Sequence, residues 1–177
     1  MSITKALLII ADRSEEMEAV NTVGVLRRAK IDVTVAGADG GKPVKCSQNI
    51  VPMPDTKASE GSKAFVVSGS HGTLVKQTRK HRQGHCGHLS CCPITLKSHK
   101  ILLDKRLTCY PGVVEKQKEI HPVSEDRVVI DGTLITNQSP GTVFEFGLAV
   151  VEKYVGKEQA KTIGDAMLVK NCIKNYQ

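Results

Sequence analysis

The sequence predicts one α/β domain in which helices pack against a mostly parallel central sheet. Short, uninterrupted apolar runs alternate with segments of helical periodicity, which is the pattern of buried parallel strands joined by helices. The chain has 177 residues, of which 40% are hydrophobic and 24% are charged. This composition is globular, and the length suits a single domain over residues 1–177. Aromatic residues make up only 3%, so the core must be aliphatic.

The clearest unit is a strand–helix–strand run at the start of the chain. The apolar run Lys5–Ile10 is the first predicted strand, and the β-branched segment Ile31–Ala36 is the second. Ser14 lies where a hydroxyl N-cap would begin the helix between them, and the glutamates that follow suit its positive end. Apolar residues recur along this helix at Met17, Val20, Val23 and Leu26. A unit of this kind predicts a parallel sheet.

The rest of the chain continues the alternation. Val44–Met53 indicates an extended or hairpin segment, and Pro93 opens a helical turn because proline is tolerated there. Residues 140–154 predict a helix, and a final helix extends to about Val169. Further strands are predicted at Ala64–Val67, Leu107–Tyr110, Arg127–Ile130 and Thr133–Asn137, the last two joined by the turn Asp131-Gly132.

Residues 73–92 break this pattern, because they are basic, rich in histidine, and carry no apolar stripe long enough for a core helix. A solvated loop is one interpretation of this segment, and two others are open. Weak, salt-dependent RNA binding would use Lys76, Arg79, Lys80 and Arg82. Zinc or copper would accept ligands from His81, His85, Cys86, His88, Cys91 and Cys92. The segment has no C-x-x-C pair and no known finger spacing, so we assign no metal.

The apolar and acidic runs bear on the location of the protein. The longest apolar run, Ala6–Ala11, is far shorter than the about 20 residues that span a membrane. The acidic stretch Asp12–Glu18 argues against a secretory cleavage site and against a transit peptide. The sequence therefore predicts a soluble cytoplasmic protein without membrane association. Its six cysteines are then thiols rather than a disulfide framework.

The predicted topology indicates where chemistry would take place. In open α/β sheets, ligands bind beyond the carboxyl ends of the strands, where the turns Ser14–Glu18, Gly69–Gly72 and Ser90–Pro93 would lie. A thiol in the last turn would be near helix N–H groups, which lower a thiol pKa and stabilise an oxyanion. Glu18 would exchange a proton with that thiol if the turns are neighbours. The alternative is that the cysteines there are small buried hydrophobic residues.

Four segments resemble the DJ-1/PfpI family, and its animal members most closely: KALLIIADRSEEMEAV, VLRRAKIDVTVAG, PVKCSQNIV and DGTLITNQSPGTVFEFGLAVVEKYVGKE. The resemblance covers residues 1–60 and 93–170. It implies a flavodoxin-like three-layer sandwich and a homodimer whose interface helix carries Ser14–Leu26. It also implies protection against oxidative stress and cofactor-free chemistry on glyoxals or glycated products. Chaperone and RNA-binding roles, and nuclear and mitochondrial locations beside the cytoplasm, belong to the same expectation.

The resemblance also assigns roles to single residues. The acidic partner of the family falls on Glu18, and its peripheral, redox-sensitive cysteine falls on Cys46. Lys45, directly before Cys46, is a cation that would favour a thiolate there, and a plain edge residue is the alternative. The aromatic residue or histidine that precedes a proline in the family falls on Tyr110, which we assign to substrate binding. The oxyanion loop of the family falls on Gly69 and Ser70, although the proline of that loop is missing here.

The nucleophile is where the chain departs from its family pattern. The family cysteine lies three residues before a proline, and that position, counted back from Pro93, is Ser90. Alignment therefore favours Ser90, whereas chemistry favours the adjacent Cys91, because serine lacks the intrinsic advantage of a thiolate. Cys92 is a further redox-sensitive candidate. Gln138 stands where the family has the arginine of S-R-G-P-G.

The departures concentrate in residues 68–92, between two well-matched blocks. We interpret this basic, Cys-rich segment as out of frame or mis-spliced relative to the family, a hypothesis that the nucleotide sequence would test. Two functions then remain open. One is a glyoxalase or deglycase with redox sensing and a cysteine nucleophile. The other is a redox-responsive chaperone or a binding module for RNA or protein, which keeps the fold without the catalytic turn.

Overall fold

A seven-stranded sheet organises the protein. The computed structural model describes residues 4–58, 65–68, 86–88, 104–114 and 122–169. The strands of the sheet are β1 (Lys5–Ile10), β2 (Asp32–Gly37), β3 (Thr56–Lys57), β4 (Phe65–Ser68), β5 (Cys86–His88), β6 (Val128–Asp131) and β7 (Leu134–Asn137). The α-helices in these ranges are α1 (Glu16–Arg28), α2 (Val143–Tyr154) and α3 (Lys157–Ala166).

The strand order is β3-β2-β1-β4-β5-β7-β6, and every pairing except that of β6 with β7 is parallel. The predicted β1–α1–β2 unit and the β6–β7 hairpin are confirmed. Gly132 closes that hairpin in the left-handed region, with φ of 59°, a conformation that favours glycine. The central strand β1 lies between β2 and β4, so both of its backbone edges are paired.

The strand β5 corrects the interpretation of residues 73–92 as a complete break in the pattern. Residues 86–88 pair in parallel with β4 on one side and with β7 on the other. They join the two halves of the sheet through backbone hydrogen bonds. Such bonds do not depend on side-chain type, which is why a segment without apolar periodicity supplies a strand.

Apolar side chains of β1 are buried on both faces of the sheet. Leu8 and Ile10 belong to the large core that α1 and α2 cover, together with Leu26 and Phe146, and α3 packs against α2. Leu7 and Ile9 are buried on the opposite face. Burial on both faces explains why β1 has an uninterrupted apolar run rather than an alternating one.

Two predicted boundaries differ from the structure. Leu107–Tyr110 was expected to be a strand, but Leu107 forms only an isolated bridge with Val123. The backbone N–H of the following residue, Thr108, donates to Thr136 Oγ1 at 2.9 Å, so a side chain takes the place of a ladder partner. The final helix ends at Ala166 rather than near Val169, because Leu168 adopts a left-handed φ of 57°. The helix predicted to open at Pro93 lies outside the described residues.

The helices α1 and α2 approach most closely at Gly147. A Cβ atom on this residue would lie 3.0 Å from Cβ and Cγ1 of Val25, which is itself fully buried. Gly24, on α1, is different, because a Cβ atom there would meet only the end of the flexible Arg28 side chain at 3.3 Å. The contact between the helices therefore requires glycine at position 147 but not at position 24.

We expect Gly147→Val to lower the free energy of unfolding by about 1–3 kcal/mol, because overpacking forces the two helices apart. Gly24→Ala is the matched control and should raise stability by up to about 1 kcal/mol through helix propensity. Urea denaturation measures both, and combining Gly147→Val with Val25→Ala should restore part of the loss. An unchanged urea midpoint for Gly147→Val would contradict this description of the contact.

Candidate active site

The candidate site begins where β1 ends. Glu18 lies on the first turn of α1, directly beyond the carboxyl end of β1. Its side chain is almost entirely buried, with 2% of its surface exposed, and it is held by interactions within the fold. An acidic group placed at the carboxyl edge of a parallel sheet and withdrawn from bulk water is suited to proton transfer.

The turn between β1 and α1 is built by the backbone and by Ser14. The Ser14 N–H donates to the carbonyl of Ala11 at 2.9 Å, and the Ala11 N–H donates to Ser14 Oγ at 2.9 Å. Ser14 is therefore not the helix cap that the sequence predicted, since its hydroxyl is already bound behind the turn. Glu15 is the N-cap instead and accepts from the Met17 N–H at 3.3 Å. Arg13 adopts a left-handed φ of 67° inside this turn.

Residues 44–53 form a hairpin-like segment that lies against the turn. Val44 N–H donates to Pro52 O at 3.0 Å, and Cys46 N–H donates to Ile50 O at 2.9 Å, so the hairpin alternative for this segment is confirmed. Asn49 supplies the left-handed residue of its tip, with φ of 67°. The hairpin is then bonded to the turn: Arg13 N–H donates to Lys45 O at 2.8 Å, and Ser47 N–H donates to Ser14 O at 2.9 Å.

Glu16 is the side chain that fastens the hairpin to α1. Its carboxylate accepts from Ser47 Oγ at 2.8 Å and from the Gln48 N–H at 2.9 Å, and only 3% of its surface is exposed. Burial by itself would raise the pKa of Glu16. Hydrogen bonds from its own N–H, from Ser47 and from the N–H groups of Gln48 and Ile50 outweigh that effect, so its pKa is lowered. Glu16 is thus an ionised, fully bonded buried acid.

The environment of Cys46 disfavours a thiolate, contrary to the expectation from the adjacent Lys45. Lys45 was expected to favour a thiolate, but Cys46 is buried, and burial raises the pKa of its thiol. Three carboxylates add to the increase, those of Glu16, Glu15 and Asp12. Nothing in the local sequence indicates this, because those acids lie thirty or more positions away and the hairpin folds back onto them. Cys46 is a protonated, small, buried group, and its redox sensitivity stays a prediction.

Tyr110 presents its side chain to solvent just before the short 3-10 turn Pro111–Val113. A Cβ atom on Gly112 would lie 2.8 Å from Tyr110 Cε1, so the ring covers that glycine closely. The two residues before it, Thr108 and Cys109, are buried. The ring of Tyr110 is therefore accessible from solvent, and its substrate-binding role stays a prediction.

Several predicted residues lie outside the described residues, and the structure does not test their roles. They are Gly69, Ser70, Ser90, Cys91 and Cys92 of the predicted catalytic turns, the basic residues Lys76, Arg79, Lys80 and Arg82, and the possible ligands His81 and His85. Among the described residues, no group of three or more His, Cys, Asp or Glu could hold a metal ion. In the same ranges, no helix is long and apolar enough to cross a membrane.

Asn137, at the end of β7, is a buried polar residue whose structural role the sequence did not indicate. This residue is fully buried, and its Nδ2 donates to Ser139 O at 2.9 Å and to Thr142 Oγ1 at 3.0 Å. It thereby fixes the turn that leads into α2. The next residue, Gln138, donates from Nε2 to the carbonyl of Glu125 at 2.9 Å. The amide that replaces the family arginine is therefore bound to the loop that precedes β6.

Comparison with known proteins adds independent information. The model of the DJ-1/PfpI family matches residues 4–153. Protein DJ-1alpha of Drosophila melanogaster is 36% identical over 181 aligned positions, which cover 92% of this chain and 83% of that protein. The crystal structure of Drosophila melanogaster DJ-1beta superposes with a TM-score of 0.85 at 33% identity, covering 94% of this chain and 98% of the other. The predicted flavodoxin-like α/β fold is thus confirmed.

A relative with a named activity is also similar. A Caenorhabditis elegans protein named glutathione-independent glyoxalase DJR-1.2 is 30% identical over 180 aligned positions, which cover 92% of this chain and 96% of that protein. The chain therefore spans nearly the whole length of a protein named for a glyoxalase activity.

We expect Cys46 to react slowly with iodoacetamide in the native protein. Its pKa is raised above the ordinary value of 9.0, so the thiolate fraction at pH 8 is smaller than in the unfolded chain. Peptide mapping by mass spectrometry measures the labelling rate of Cys46 in native and urea-unfolded protein, the unfolded chain being the control. Its native rate should still be increasing above pH 9. Faster labelling in the native state than in the unfolded state would contradict the assignment of a protonated buried thiol.

Proposed function

Because this chain belongs to the DJ-1/PfpI family, we propose that it is a cofactor-free glyoxalase that converts small reactive dicarbonyls to hydroxy acids without glutathione. The observation that carries the proposal is the buried carboxyl group of Glu18 at the carboxyl end of β1. The similarity to a protein named glutathione-independent glyoxalase supports this reaction class. Deglycation of glycated adducts and protection against oxidative stress are extensions of the same carbonyl chemistry.

The proposed reaction divides its work between a nucleophile and an acid. A thiolate attacks the aldehyde carbon of the dicarbonyl and forms a hemithioacetal. Glu18 protonates the resulting oxyanion, which backbone N–H groups near Gly69 and Ser70 stabilise, and then moves the proton of the former aldehyde carbon to the neighbouring carbonyl group, which gives the thioester of the hydroxy acid. Water hydrolyses this thioester, which releases the hydroxy acid and restores the thiol. Cys91 is the nucleophile that chemistry favours, and Ser90 is the one that alignment favours. Tyr110 borders the substrate.

A second function is supported by one contact in particular. Gln138 is neutral, and its side-chain amide donates to Glu125 O. This position therefore carries no charge where the family has an arginine. If Ser90 occupies the nucleophile position, the chain keeps the scaffold without the reaction. The rival proposal is therefore a redox-responsive chaperone or binding protein, which would consume no dicarbonyl.

We further propose that a second copy of this chain covers an exposed apolar face. Met17 and Val20 lie one turn apart on α1 with more than half of their surfaces exposed. The adjacent hairpin adds Ile50, Val51 and Met53, which are exposed to a similar degree. Large apolar side chains exposed on two elements that are hydrogen-bonded to each other indicate a protein–protein contact. Members of the DJ-1 family are typically dimers, which supports a second copy as the occupant.

We expect Glu18→Gln to lower the rate of lactate formation from methylglyoxal by about 10²–10⁴-fold, because the amide cannot transfer the proton. Glu158→Gln is the matched control, since Glu158 is an exposed first-turn glutamate of α3, and it should retain the wild-type rate. Coupled enzymatic detection of lactate, without glutathione, measures both variants.

The same assay identifies the nucleophile. Loss of activity in Cys91→Ser but not in Ser90→Ala or Cys92→Ser would assign the reaction to Cys91. Activity that survives replacement of all three residues would refute the proposed thiol mechanism. Wild-type protein that consumes no methylglyoxal would favour the non-enzymatic function. Intact-mass analysis after mild peroxide, followed by peptide mapping, would test redox sensing separately.

We expect Val20→Lys to reduce the native mass from that of two chains to that of one, because a charged side chain would be buried without a partner at the contact. Leu168→Lys is the control, since Leu168 is 80% exposed and lies outside this face, after α3. Size-exclusion chromatography with light scattering measures the mass. A Val20→Lys protein that keeps the mass of two chains would place the interface elsewhere.

A further inference from the structure

Glu16 is a buried acid that the proposed reaction does not use. Both of its carboxylate oxygens are occupied: Oε2 accepts from Ser47 Oγ at 2.8 Å, and Oε1 accepts from the Gln48 N–H at 2.9 Å. Its side chain is almost fully withdrawn from water. A buried charge is tolerated only where donors replace the lost water, and here the hairpin supplies those donors.

The side of α1 on which Glu16 binds the hairpin determines where Glu18 lies. Glu16 and Glu18 are two residues apart on the first turn of α1, so their positions differ by about 200° around the helix axis. Glu16 holds one side of the turn against the hairpin, while Glu18 projects from the other side. Any rotation or shift of the first turn that released Glu16 would displace Glu18 by a comparable amount.

Beside Glu16, the first turn is held by Glu15, whose Oε2 lies 2.9 Å from the same Ser47 Oγ, and by the backbone that precedes it. Ser14 is engaged with Ala11, and the cap bond from the Met17 N–H to Glu15 is long, at 3.3 Å. Arg13 has a left-handed φ of 67°, which a non-glycine residue keeps only where surrounding contacts enforce it. Those contacts come from the hairpin, through Lys45 O and through the Ser47 N–H.

We propose that Glu16 is a positioning residue for Glu18: by binding Ser47 and Gln48 it fixes the first turn of α1 and thereby the location of the Glu18 carboxyl group. The inference rests on the proposed function of Glu18 as the proton-transfer group. Glu16 itself touches no substrate. The lowered pKa of Glu16 supports the assignment, because the group stays ionised near neutral pH and so remains an acceptor on both oxygens.

The variants separate a change in the position of Glu18 from a change in the charge around it. Glu16→Gln keeps the length of the side chain but places an amide N–H group against a donor of the hairpin. Ser47→Ala removes one of the two donors without any change in charge. Asp39→Ala is the charge control, because Asp39 is exposed beyond the carboxyl end of β2 and takes no part in the hydrogen bonds between the hairpin and α1. Glu16→Asp retains the acceptors one methylene shorter.

The readout is the ¹³C resonance of the Glu18 carboxyl carbon in protein labelled at glutamate, assigned by its absence in Glu18→Gln. We expect its limiting chemical shifts, at the acidic and basic ends of the titration, to move in Glu16→Gln and, by less, in Ser47→Ala. In Asp39→Ala the limiting chemical shifts of the Glu18 carboxyl carbon should stay unchanged, and at most the midpoint of its titration should move. In parallel, kcat for methylglyoxal should fall about 10-fold in Glu16→Gln, with KM within about twofold, since misplacement affects the chemical step.

The outcomes distinguish this inference from the function on which it rests. If the wild-type protein has no glyoxalase activity but the limiting chemical shifts of Glu18 still move in Glu16→Gln and Ser47→Ala, the positioning role is supported and the proposed function is refuted. Limiting shifts that stay unchanged in both Glu16→Gln and Ser47→Ala overturn the positioning role, whether or not kcat falls. If Glu16→Gln does not fold, Ser47→Ala and Glu16→Asp decide the question by the same criterion.

Discussion

The burial of β1 on both faces is the constraint on which the rest of the structure depends. Leu8 and Ile10 face the helices, Leu7 and Ile9 face the other way, and β2 and β4 pair with both backbone edges. A strand so enclosed has no room for polar side chains. Polar chemistry is therefore confined to the point where the strand ends, and Glu18 lies just beyond that point.

The hairpin of residues 44–53 has two roles in this arrangement. On its inner side it supplies Ser47 and Gln48 to the carboxylate of Glu16, which fixes the entrance to α1. The hairpin also exposes Ile50, Val51 and Met53, and α1 exposes Met17 and Val20. One short segment therefore connects the candidate acid with the surface proposed to bind a second copy. A contact at that surface would also restrain the turn that carries Glu18.

Local patterns allowed much of this fold to be predicted. Apolar runs and helical spacing defined β1, α1, β2 and the β6–β7 hairpin, because each of these elements buries its own side chains in a periodic way. The same reasoning failed at β5, whose partners are backbone groups of distant strands. It also failed at Ser14, whose hydroxyl accepts from the Ala11 N–H instead of capping the helix. It failed again at Cys46, where burial and three acids distant in sequence raise the pKa of the thiol despite the adjacent Lys45.

The sequence by itself determined the class of fold, the family and the identity of Glu18 as the candidate acid, because apolar periodicity and the motif around that residue are written in consecutive positions. Only the tertiary structure decided the state of Cys46, the partners of Glu16 and the bound amide of Gln138. The physical reason is that charge, burial and hydrogen bonding depend on distance in space. Folding of the hairpin onto the first turn of α1 brings together groups that lie more than thirty positions apart along the chain.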